Sequence, residues 1–83
     1  MTVPDWLAAR GGGLTKGLAD NVMLVTIDGQ PHYRLDALPA KGRYTVAVVQ
    51  TNNGRRLDGG KDYPTRDAAL AGGLEELREQ LGW

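Results

Sequence analysis

Cysteine and serine are absent from this chain of 83 residues, and histidine occurs once, as His32. The missing cysteines remove disulfide staples, thiolate nucleophiles and cysteine-based metal sites together. Without serine, and with a single imidazole, neither a Ser-His-Asp nor a Cys-His arrangement can be assembled within one chain. Thr2 is the one threonine that loss of Met1 would leave N-terminal, and no set of partner residues is arranged around it to activate a nucleophile. His32 follows Pro31 at the start of a strand and lacks the companions that a general base or a metal ligand requires. No catalytic residue, metal site or cofactor is expected.

Long apolar runs are missing as well. None is longer than the run from Val22 to Val25, which is far too short to cross a bilayer. The first residues, MTVPDWLAARGGG, contain no basic leader followed by an apolar stretch, so no signal peptide is expected, no membrane partner, and a cytoplasmic setting. Net charge is zero, which disfavours strong nonspecific binding to nucleic acid. That neutrality hides an uneven distribution. Residues 33–66 hold seven basic side chains (Arg34, Lys41, Arg43, Arg55, Arg56, Lys61, Arg66) against Asp36, Asp58 and Asp62, a balance of +4. Residues 67–83 hold four acids against Arg78, a balance of −3, and residues 1–32 stand at −1.

What is present is ordinary for a globular chain, with 41% hydrophobic and 24% charged residues. The length suits one domain with one core. Twelve glycines imply many turns. Thr2–Ala9 reads as a short helix with Thr2 as its cap and Pro4 in its first turn, stopped by Gly11-Gly12-Gly13. Arg10–Gly17 has the glycines and lysine of a phosphate loop. Its order Thr15-Lys16-Gly17 departs from the spacing such a loop needs, so residues 10–21 read as a flexible connection pinned by Leu14 and Leu18.

From Val22 the hydrophobic period changes to two. Val22–Ile27 reads as a buried strand, and Asp28-Gly29 as a tight hairpin turn. His32–Leu38 alternates, with Tyr33, Leu35 and Ala37 on one face and His32, Arg34 and Asp36 on the other. Pro39–Gly42 reads as a turn. Arg43–Gln50 sends Tyr44, Val46 and Val48 one way and Arg43, Thr45, Ala47 and Val49 the other. Asn52-Asn53-Gly54 signals another hairpin, with Arg55–Asp58 returning as a short edge strand. Thr65 is the expected N-cap of a final helix and Gly82 its terminator. Leu70, Leu74, Leu77 and Leu81 form one apolar stripe, placed to cover Tyr33, Leu35, Tyr44, Val46 and Val48, while Glu75, Glu76 and Glu79 take other faces. Gly72 and Gly73 weaken that helix unless it approaches the sheet closely. Trp6 and Trp83 would close the core together if the ends of the chain meet.

The order of strands followed by a helix resembles, in topology, the double-stranded-RNA-binding domain, in which a helix, three strands and a helix follow one another. Gln30-Pro31-His32 is similar to a loop of that family, and Thr65-Arg66-Asp67-Ala68-Ala69 to the opening of its last helix. The resemblance implies phosphate contacts from a lysine cluster at that helix start; here Arg66 is followed by Asp67.

The expected fold is α+β: a three- to four-stranded antiparallel β-meander over 22–62 and an amphipathic helix over 65–81 packed on one face. A short helix and glycine-rich connection over 1–21 precede them. One helix covers one sheet face, so the other is solvated or meets a partner. The expected function is a non-enzymatic binding module, working by protein–protein interaction or self-assembly through that second face. The alternative is weak nucleic-acid binding by its arginines. The residues expected to carry either role are Arg34, Arg43, Arg55, Arg56, Ala47 and Val49.

Overall fold

The computed structural model describes residues 2–83. It contains helix α1 (Asp5–Ala8), strands β1 (Gly12–Lys16), β2 (Val22–Ile27), β3 (Gln30–Ala40), β4 (Arg43–Gln50) and β5 (Asp62–Tyr63), and helix α2 (Arg66–Leu81). The five strands form one antiparallel meander in the order β1-β2-β3-β4-β5. The α+β class and the meander with its C-terminal helix are therefore as the sequence implies. No helix among the described residues is long and apolar enough to cross a membrane.

The central hairpins follow from turn chemistry. Asp28 and Gly29 have φ of 52° and 81°, and Lys41 and Gly42 have 51° and 79°. Positive φ at both central residues is the signature of a two-residue hairpin turn whose twist matches its flanking strands. The second turn is tighter than Pro39–Gly42, because β3 runs on through Ala40, which pairs with Arg43. Gln30-Pro31-His32 forms the start of β3 rather than a loop. The β2–β3 register shifts between Val25 and Thr26 and leaves His32 without a partner on β2.

The differences from the sequence reading lie at the margins of the sheet. The glycine-rich connection contains β1, with Leu14 opposite Val25 on β2. Glycine lowers strand propensity, but Gly12 is needed here, since a Cβ would collide with the Leu7 side chain. Arg55–Asp58 contributes a single bridge, Arg56 to Val49, and the last strand is instead Asp62–Tyr63. Helix α1 spans only Asp5–Ala8, with Pro4 rather than Thr2 at its N-cap.

The core lies between the sheet and the two helices. Leu7, Val25, Leu35, Val48 and Leu77 are fully buried, joined by Tyr33, Val46, Leu70 and Leu74. Tyr44 and Leu81 pack at its edge. Thr65 caps α2 by accepting a hydrogen bond from Ala68 N–H at 3.0 Å, and Gly82 ends it in the left-handed conformation with φ of 72°. A Cβ on Gly73 would stand 2.6 Å from Val46 Cγ2, and one on Gly72 would fall within the Tyr63 ring. Trp6 and Trp83 meet with ring centroids 6.2 Å apart, closing one end of the core.

Glu76 faces the β4–β5 connection rather than solvent. It is 5% exposed and accepts hydrogen bonds from Gly59 N–H and the Tyr63 hydroxyl. Burial, followed by the hydrogen bond and negative charge of Glu76, pushes Tyr63 up to about 12 from 10.0. A raised tyrosine pKa means that the neutral form is favoured by folding. Its contribution is complete below pH 10.0 and is lost as pH rises through about 12.

Two outcomes are expected. Gly73→Ala should lower stability by roughly 1–2 kcal/mol in urea unfolding, because overpacking against Val46 outweighs the helix-propensity gain. In a phenolate absorbance titration, Tyr63 should ionise at about 12, and Glu76→Gln should bring it toward 10.0.

Candidate functional site

The sheet face away from α2 is built by strand parity. It carries Val22, Leu24 and Thr26 from β2, Arg34, Asp36 and Leu38 from β3, and Arg43, Thr45, Ala47 and Val49 from β4. Arg56 joins it through its bridge to Val49. The sequence-derived residues thus largely share a face, but the charges of Arg34 and Arg56 are not free.

Arg34 Nε lies 3.1 Å from Asp36 Oδ2, and Arg56 Nε donates to Asp58 Oδ1 at 2.6 Å. A second hydrogen bond, from Arg56 Nη2 to Asp58 Oδ2 at 3.0 Å, makes the latter pair a two-point clamp. Asp58 Oδ1 also accepts from Val48 N–H at 3.2 Å, tying the connection to the edge of β4. The hydrogen bond from Arg56 holds the Asp58 carboxyl below its ordinary range, with burial opposing and Val48 N–H assisting. Asp58 raises Arg56 in turn, and the more distant Asp36 adds to that shift.

Arg43 and Arg55 form no ion pair among the described residues. Arg43 opens β4, whereas Arg55 lies beyond its other end, where its N–H donates to Asn53 Oδ1. The length of β4 separates them by roughly 25 Å. Ala47 is only 5% exposed, opposite Asp36 in the register, so it offers little contact surface. Val49 is half-buried.

Apolar surface completes the face. Leu18, in the β1–β2 connection, is fully exposed, and Leu38 is 42% exposed. A groove of about 450 Å³ is lined by Leu18, Val22, Leu24, Arg34 and Asp36 among others. The sequence reading gave Leu18 to the core, and it counted Asp36 and Asp58 without pairing them to Arg34 and Arg56. Their signal was available: residues i and i+2 of a strand share a face, so Arg34 and Arg56 each have an acid two positions on. His32 is exposed at its bulge, and among the described residues no group of three or more histidine or carboxylate side chains converges.

Depression of the Asp58 pKa sets a direction for acid stability. The contribution is complete above 3.8 and disappears as pH falls through the lower folded value. Asp58→Asn should therefore flatten the acid limb of a stability–pH curve measured by urea midpoint. Its cost at neutral pH should stay within about 1 kcal/mol, because the Arg56 side of the pair is open to solvent, which screens it, and Asn keeps an oxygen to accept from Val48 N–H. Comparison of the chain with protein-family models, with curated proteins and with solved structures finds no match.

Proposed function

We propose that the chain is a non-enzymatic protein-binding module and that the sheet face opposite α2 meets the surface of another protein. One observation carries this reading: Arg34 and Arg56 are neutralised in place by Asp36 and Asp58. A phosphate backbone is gripped by unpaired cations tracking its path, with a salt dependence that counts them. Here the unpaired Arg43 and Arg55 stand at opposite ends of β4, and the centre of the face is charge-balanced. Leu18, Leu38 and the Val22–Leu24 groove supply apolar contact among fixed, paired charges, the mixture typical of a protein interface. A cytoplasmic setting belongs to the same proposal.

The test compares capture of cellular proteins by the wild-type chain, by Leu18→Glu and by Leu38→Glu, substitutions at exposed positions that leave the core intact. A specific partner should bind the wild type and lose roughly tenfold in affinity with either variant, a cost of about 1.4 kcal/mol. Mixed DNA and RNA oligonucleotides should give no shift at about 50 mM salt. Oligonucleotide binding that weakens steeply with salt and is lost in Arg43→Ala and Arg55→Ala would overturn the reading in favour of nucleic acid.

A further inference from the structure

The two edges of the sheet are treated differently. Beyond β4, the chain returns to cover the free backbone. Gln50 N–H donates to Arg55 O at 2.9 Å, Leu57 N–H to Val48 O at 2.7 Å, and Val48 N–H to Asp58 Oδ1 at 3.2 Å. β5 then pairs with Tyr44 and Thr45. That edge is closed along most of its length.

β1 has no such cover. Its ladder to β2 is bounded by Gly17 N–H to Val22 O and Asp28 N–H to Gly11 O, both at 2.9 Å. Antiparallel pairs alternate, so Gly13 and Thr15 direct their backbone groups at β2, and Gly12, Leu14 and Lys16 direct theirs outward. No hydrogen bond to those outward groups is made among the described residues. The usual protections of an edge are proline, bulges and charge. β1 has a regular register and no proline, and its one charge, Lys16, is its last residue.

A second feature lies beside this edge. Helix α2 packs over β3, β4 and β5, and α1 packs on β1 where Leu7 meets Gly12. The other end of β1 is left with an open groove of about 840 Å³, lined by Leu14, Lys16, Met23, Arg66 and Leu70 among others. Val3, just before α1, is an apolar residue left 39% exposed.

We propose that β1 is a pairing edge through which two copies of this chain join their sheets, antiparallel and two-fold symmetric about Leu14. This stands independently of the open-face reading. Each outward N–H of Gly12, Leu14 and Lys16 then meets an outward C=O of the second copy. Leu14 faces its own counterpart, and Lys16 faces Gly12, so the longest side chain lies beside the residue that has none and no like charges are opposed. The two-fold keeps both helix layers on one side. It brings the α1 of the second copy, with its Val3, alongside the Lys16 end of β1, at the open flank of the groove. A foreign strand would satisfy the same backbone groups, but only a second copy supplies this flanking helix through the same symmetry.

Sedimentation from about 10 μM to about 1 mM tests the pairing, a range set by the small interface. The weight-average mass should rise above 8.9 kDa toward twice that value. Lys16→Pro removes an outward N–H that the β1–β2 ladder does not use, so it should remain folded by circular dichroism and stay monomeric. Because the chain has no cysteine, single replacements report the register. Leu14→Cys places the two thiols on directly opposed residues with Cα atoms about 5.5 Å apart, within disulfide reach. It should cross-link on mild oxidation at least several-fold faster than Thr15→Cys, whose counterparts are offset along the strands. A mass that stays at 8.9 kDa up to about 1 mM overturns the proposal, as does equal cross-linking of the two variants. A dimer that survives Lys16→Pro but is lost in Leu18→Glu assigns self-association to the open face instead. A monomeric chain that binds another protein's strand, with binding abolished by Lys16→Pro, assigns the edge to that strand.

Discussion

Helix α2 lies so close to the sheet that the methyls of Val46 occupy the space where a side chain at position 73 would begin, and the Tyr63 ring fills the space at position 72. Much of the architecture depends on that approach. A helix is about 10 Å wide with its side chains, and a sheet of five strands is roughly twice that. Drawn down onto β4 and β5, α2 buries Leu70, Leu74 and Leu77 against Val46, Val48 and Leu35 but leaves β1 and β2 short of cover. Leu7 from α1 and the Trp6–Trp83 contact fill one end of that gap. Leu14, Met23 and the groove beside them mark the end left open.

Two carboxylates fix the long connection after β4, and they do so from opposite sides. Glu76 reaches it from α2, through Gly59 N–H and the Tyr63 hydroxyl, while Asp58 reaches back from the connection to Val48 N–H. A segment rich in glycine and charge, which composition alone marks as loose, is thereby held against the sheet edge. The same Asp58 neutralises Arg56, so closing the edge and balancing the open face are two results of one side chain.

The parts of the fold legible in the sequence are those set by local periodicity. The alternation through Tyr33, Leu35 and Ala37, the leucine stripe of α2, and the Asp28-Gly29 turn each require one element to be read at a time, and each is found. β1 was not legible, because two of its five residues are glycine and its strand character comes from pairing with β2. β5 is two residues long, too short for any period to show. Glu76 sits among two other glutamates on a helix, and only the fold brings Gly59 and Tyr63 to it. Strand parity sets Arg34 and Asp36 on one face, but that their side chains pair, as do those of Arg56 and Asp58, is visible only in the fold.

The N-terminal unit is the least self-sufficient part of the molecule. A helix of four residues cannot persist in isolation, since nucleation costs more than one turn returns. α1 is held by burial of Leu7 and by a row of contacts in which Arg10 lies 4.6 Å over Trp83, Trp83 meets Trp6, and Arg78 lies 5.7 Å from the Trp6 ring. Each cation–π contact contributes about 0.5–1 kcal/mol at an exposed site. Arg78 also donates from Nε to the Trp83 carbonyl at 3.0 Å, which fixes the second indole to the end of α2. Docked α1 sets Leu7 against Gly12, and that contact in turn holds a glycine-rich segment in the extended form that pairs with β2. The open edge of β1 is therefore supported from two sides, by its ladder to β2 and, through Leu7 and α1, by packing at the far end of α2.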